Sequence, residues 1–365
     1  MKNKLLLSVL TILSIGFSSV GLTSCSEKET QGLEYATNLF NDGCYYVSGI
    51  GTAKDTNIII PSVYNGKPVV GIGSHAFWNC DSIESIQIPD GVTYLGENSF
   101  KGCSSLTSIV LPSTLTDIDE GAFSGCASLK NITIPNTVSE LGDNAFYGCS
   151  SLESIVLTDS LEEIEEYTFS GCTSLTTITI PDSVTKIDES AFSGCNSIEN
   201  ISVPIKAIPY FQKENLKTVI LTSGDSIPNG TFNNCSLLTS ITIGDSIQSI
   251  GDQAFYSCTS LENVKMGKGI TSIGTSAFNK CTALKSITIG KNVTSIGEFA
   301  FTNCTSLESI VIPDSVTSIG YSAFKGCSSL TTVYYEGTKE QWDDISIDSF
   351  NSVLNNATIE YNYKD

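Results

Sequence analysis

Between Leu175 and Ser197 the chain reads LTTITIPDSVTKIDESAFSGCNS, and this 23-residue stretch recurs along most of the sequence. Its cysteine, Cys195, closes a series at positions 80, 103, 126, 149, 172 and 195, and a second series follows at 235, 258, 281, 304 and 327. Every step within a series is 23 residues, and a phenylalanine stands three positions before every one of these cysteines, from Phe77 and Phe100 to Phe324. Self-similarity at one period of this length is the signature of a solenoid.

The unit has a physical reading. Ile178-Thr179-Ile180 alternates with period two and predicts a short strand with two side chains in and one out. Pro181 ends it. Val184 to Ile187 can form a second extended stretch, and the 3–4-residue spacing within Ser190 to Cys195 predicts a short helical turn. No single coil can enclose its own inward residues, but parallel stacking makes a continuous core. At ~4.8 Å per rung, a dozen coils would form a rod about 60 Å long. The register breaks once, because 40 residues rather than two full periods separate Cys195 from Cys235. A coil of 18 residues from Ile198 to Asn215 lacks A-F-x-x-C, and a coil of 22 starts at Leu216, so 198–231 forms an irregular repeat.

The L-x-x-I-x-I portion matches the strand signature of leucine-rich repeats. More narrowly, P-x-S-V-T-x-I-G-x-x-A-F-x-x-C resembles the BspA-like (Treponema pallidum type) leucine-rich repeat family over roughly residues 58–330. The expected fold is therefore a leucine-rich-repeat solenoid of 23-residue coils, a parallel β ladder with short helical turns, capped at both ends. Residues 32–57, with an apparent hairpin at Tyr45 to Ile50, form the expected N-terminal cap, and residues 331–365 the C-terminal one. There Thr338 and Gln341 make a capping-box pair, and Trp342 is placed to cover the open end of the core. The resemblance implies a cell-surface protein that presents its solenoid for protein–protein interaction, with adhesion to host matrix proteins or to other microbes. A glycan-binding accessory protein and an inert structural spacer are the rival readings. Aromatics gathered on one face would support glycan binding, and a featureless surface the spacer.

Residues 1–24 read as an export signal: Lys2 and Lys4 precede an apolar run from Leu5 to Val20. The run ends in Leu22-Thr23-Ser24-Cys25, which resembles the lipobox of bacterial lipoproteins, in which the cysteine is diacylated. Ordinary cleavage with Cys25 as a bystander is the alternative. Residues 25–31 then form a tether, and the chain is expected at the bacterial surface, held to the membrane only by the N-terminal lipid.

Composition narrows the chemistry. The 365 residues carry 39 acids against 19 basic residues, all lysine, for a net charge of −20. That field opposes nucleic acid. The only histidine, His75, sits at a variable repeat position, which weakens any triad or His-ligated metal. Cysteines spaced by 23 lack the C-x-x-C proximity of zinc sites, and identical positions on adjacent rungs have poor disulfide geometry. They read as reduced, buried small hydrophobes. The acidic runs at Asp117 to Glu120 and Glu162 to Glu166 lack the order of a calcium loop and read as a solvated edge. Neither a metal nor a cofactor is expected.

The open strand face can be read because outward positions flank each inward isoleucine. Thr179, Thr242, Thr288 and Tyr334 represent it, and nearly all such positions are short and uncharged. This face offers no nucleophile with an activating partner, so no enzyme is expected. A second candidate surface lies in the irregular repeat, where Lys206, Lys213 and Lys217 stand near Tyr210 and Phe211 between Pro204 and Lys217. Aromatic and lysine side chains on a restrained segment are common ingredients of a binding hot spot. The competing reading tucks Tyr210 and Phe211 inward to replace the missing core of that coil.

Overall fold

The computed structural model describes residues 28–38 and 41–364, so the expected export signal and Cys25 lie outside the described residues. The chain winds into a parallel β-solenoid of about 14 turns. One ladder is built from the L-x-x-I-x-I strands, from Asn57–Ile59 through Thr177–Thr179 to Thr358–Glu360. Its register repeats the sequence period: Ser154 pairs with Thr177, and Ile155 with Ile178. A second ladder comes from two-residue strands such as Asp117–Ile118 and Glu140–Leu141.

The third side of each coil departs from expectation. The A-F-x-x-C segment is a pair of linked turns rather than a short helical turn, and among the described residues the only α-helices are Lys339–Asp343 and Ser352–Asn356. Around Phe100 the N–H groups of Asn98, Phe100 and Gly102 donate to the next coil, at the carbonyls of Glu120, Ala122 and Ser124. Those of Ser99, Lys101 and Cys103 instead donate three residues back, to Gly96, Asn98 and Phe100. A helix would use every N–H within its own coil. The alternation here spends half of them on coil-to-coil bonding, and it requires left-handed backbone two residues before and two after the phenylalanine. Asn98 (φ 54°) and Gly102 (φ 78°) occupy these positions, as do Gly121 and Gly125 one coil later.

Inside, the phenylalanines form a stacked column. Ring centroids from Phe77 to Phe192 lie 5.3–5.7 Å apart, the offset stacking that aromatic quadrupoles favour. The ladder cysteines are unbridged, and all but Cys80 are buried. Their thiols have a specific use: Cys126 Sγ donates to the Phe100 carbonyl at 3.2 Å, and the same bond recurs 26 residues back from eight others, including Cys195 to Phe169 and Cys327 to Phe301. The phenylalanine carbonyl thus accepts both the N–H of its own coil's cysteine and the thiol of the next. Threonines tie coils together from outside, as where Thr116 Oγ1 donates to the Thr93 carbonyl at 2.9 Å.

The irregular repeat keeps one ladder and drops the others. Asn200–Val203 pairs with Thr218–Leu221, which pairs with Ser240–Ile243, at offsets of 18 and 22 residues. The second strand and the linked turns of this coil are replaced by 3-10 segments at Ile205–Tyr210 and Lys213–Asn215. The second ladder, whose pairing already lapses between Glu140–Leu141 and Glu163–Ile164, therefore stops at Lys186–Ile187 and restarts at Ser226–Ile227. The strand pairing also lapses between Ser108–Val110 and Asn131–Thr133, and between Asn263–Lys265 and Ser286–Thr288. At each lapse the other ladder remains paired.

Both ends are closed. Glu34–Asn38 pairs antiparallel with Asn41–Gly49, which leads into the first coils, so the hairpin lies earlier than the expected Tyr45 to Ile50, a stretch that runs within and just past its second strand. At the other end the Thr338–Gln341 capping box is formed, and Trp342 is buried edge-on against Tyr335 with centroids 5.2 Å apart.

Candidate interaction surfaces

On the strand face, Thr179 and Thr288 are exposed, Thr242 and Tyr334 half-buried. Several hydroxyls of this face are already engaged between coils, as where Ser154 Oγ donates to Asn131 Oδ1 at 2.7 Å. Tyr334 lies 4.6 Å from the Tyr363 ring, partly covered by the C-terminal segment. The face offers methyls and hydroxyls in a flat array, with little relief.

The irregular repeat does not assemble the cluster expected from its sequence. Phe211 is only 7% exposed and lies 5.0 Å from Phe192, tilted by 39°, so it is a core residue rather than a contact residue. The reason is economy of burial: a coil without A-F-x-x-C leaves Phe192 with one bare face, and the 3-10 segment delivers the ring that covers it. Tyr210 is partly buried against the same core. Lys217 pairs with Glu199 at 2.8 Å. Lys206 is exposed and Lys213 half-buried, so two lysines remain available and the aromatic part of the candidate site is withdrawn.

A third surface escaped the sequence reading. On the linked-turn side the positions adjoining the buried phenylalanines carry Trp78, Tyr147, Tyr167, Tyr256, Phe299 and Tyr321, and Phe350 continues the row in the cap. The rings gather into clusters. His75 meets Trp78 at 5.4 Å and Tyr147 meets Tyr167 at 6.5 Å. Phe299, Tyr321 and Phe350 form a chain with contacts of 5.4 and 5.1 Å. Lys325 lies over Phe350 at 5.8 Å and Lys280 over Tyr256 at 5.0 Å.

The backbone makes this row notable. His75, Tyr167, Phe299 and Phe350 all have positive φ, between 54° and 67°, where bulky side chains are disfavoured by about 1–2 kcal/mol. Equivalent positions carry Gly121, Asn144 and Gly230, the residue types suited to that conformation. Phe350 nonetheless remains 60% exposed. Aromatic residues at positions suited to glycine or asparagine were the signal available in the sequence, but it has meaning only once the left-handed positions are known.

The family described as BspA type leucine rich repeat region, 6 copies, matches residues 70–199, 140–226 and 225–357. Among solved structures, a leucine-rich repeat protein from Bacteroides ovatus is 28% identical, covering 92% of this chain and 99% of its own, with a TM-score of 0.39. A leucine-rich cell surface protein from Faecalibacterium prausnitzii is 32% identical over 88% of this chain and 98% of its own, with a TM-score of 0.39. The T. pallidum leucine-rich repeat protein is 23% identical over 70% and 91%, with a TM-score of 0.33. No match is found among curated proteins. With the family's repeat matched across most of the solenoid, the chain belongs to the BspA-type leucine-rich repeat family.

Proposed function

We propose that the protein is exported, anchored through a diacylated Cys25, and presents the linked-turn side of its solenoid to a protein partner at the cell surface, in adhesion to host matrix proteins or other microbes. The observation that carries this reading is the aromatic row: exposed rings, of which Tyr167 and Phe350 are held on unfavourable backbone, with lysines beside them in an acidic chain. Exposed aromatics clustered on one side are the usual anchors of protein contacts. The same rings support a second reading, glycan binding, because sugar faces stack on aromatic rings. The edge-to-face packing of Phe299, Tyr321 and Phe350 leaves little flat platform and favours protein.

Capture of the exported chain on immobilised matrix proteins and on polysaccharides separates the two. A Tyr321→Ser/Phe350→Ser variant should lose protein capture at unchanged melting temperature. Retained capture would remove the aromatic row from the function, and selective loss of polysaccharide retention would favour the glycan reading. Labelled palmitate should enter the wild type, and equal labelling of Cys25→Ala would disprove the anchor.

A further inference from the structure

The strand ladder opens at one place where several departures from the repeat coincide. Between Asn263–Lys265 and Ser286–Thr288 the strand pairing is lost, while Ser272–Ile273 and Ser295–Ile296 stay paired on the second ladder. Inward strand centres from Ile86 to Val333 are buried in every other coil; Val264 is not, and Met266 beside it is likewise half-exposed. Gly267 and Gly290 stand where Pro181 and Pro313 end the strands of other coils. A Cβ on Gly267 would meet the Gly244 carbonyl at 2.2 Å, whereas one on Gly290 would come no nearer than 3.4 Å to Gly267, so the backbones diverge at this step. A cleft of about 690 Å³ results.

The lining has a definite chemistry. Val264 and Met266 give apolar surface above the buried Ile289, and Lys265, Lys268 and Lys291 line the same cleft. Three lysines along one cleft stand apart in a chain of net charge −20. Lys268 and Lys291 each have one distant carboxylate, Asp245 and Glu336, both at 3.8 Å. The Lys268–Asp245 pair is long and exposed on both sides and therefore weak, whereas Glu336 is largely buried beneath Lys291. Methionine adapts its shape to a ligand more easily than the branched residues of the other coils.

We propose that this cleft binds an amphipathic organic carboxylate, with its apolar tail on Val264 and Met266 and its carboxylate among the three lysines. The volume falls within the range of small-molecule sites, roughly 300–1,000 Å³. An added peptide strand does not fit between the two coils, because their Cα atoms remain within 8 Å and an intervening strand needs about 9.6 Å. This site is separate from the aromatic row and does not depend on its role.

The test is equilibrium dialysis of the purified protein against radiolabelled dodecanoate, below its micellar concentration. One saturable site is expected. Lys265→Glu/Lys268→Glu, both exposed, should weaken it at least tenfold with an unchanged melting temperature, and Met266→Asp should weaken it as well. Uncharged dodecanol should bind at least tenfold more weakly than dodecanoate. No saturable uptake, or equal uptake by the lysine variant, would overturn the proposal, and so would displacement of dodecanoate by acetate alone at similar concentration.

Discussion

The buried thiol ladder is expected to make stability fall steeply at alkaline pH. Burial pushes the thiols of Cys103 and Cys149 up to about 12 and that of Cys235 up to about 11; Cys126, Cys258 and Cys281 are raised further by the same cause. In the unfolded chain each thiol returns to about 8.5. A folded-state pKa above the unfolded value means that the unfolded chain binds fewer protons once pH exceeds 8.5, so stability is complete below that pH and falls above it. At pH 9.5 each of these six thiols favours unfolding by about 1.4 kcal/mol, and together by roughly 8 kcal/mol, comparable to the whole stability of an ordinary domain. Tyr35 and Tyr94, held at about 12, add to the effect only above pH 10. Urea unfolding followed by circular dichroism at pH 7.5, 8.5 and 9.5, with a phosphine reductant, should show a midpoint that collapses over the last unit. Cys126→Ala should reduce the slope above pH 8.5 by about 1.4 kcal/mol per pH unit. A midpoint unchanged from pH 7.5 to 9.5 would show that the thiols are not buried in a common core.

Two further outcomes follow from the packing. Alkylation of the native protein at pH 8 should reach Cys80, the half-exposed ladder cysteine, well before the others, and unfolding without reductant should release the remaining ladder thiols; a majority found oxidised would refute their role as thiol donors. Phe146→Ala, which removes a fully buried ring stacked on both Phe123 and Phe169, should destabilise by about 3–5 kcal/mol; Phe211→Ala, with Phe192 as its ring partner, should fall near the lower end. If Phe211→Ala instead leaves the urea midpoint unchanged, its placement in the core is wrong.

The period, the parallel stacking, the inward identity of Phe, Cys and Ile, and the two coil lengths of the irregular repeat were legible in the sequence, because each depends on residues equivalent along the chain. A coil cannot bury its own apolar side, so strict recurrence of that side implies a stack. The same holds for the Thr338–Gln341 cap, whose partners are three residues apart. What tertiary structure alone decided depends on contacts between coils. The spacing around Phe100 suits a helical turn, yet its N–H groups are drawn alternately to the next coil, which forces left-handed backbone and turns neighbouring side chains outward. That geometry gathers Phe299, Tyr321 and Phe350, residues far apart in sequence, into one surface. Phe211 looked available beside three lysines, but the empty place left against Phe192 claimed it, since burying a phenylalanine ring outweighs exposing it at a surface. The opening beside Val264 likewise exists only because two adjacent coils separate on one side while the other ladder holds them together.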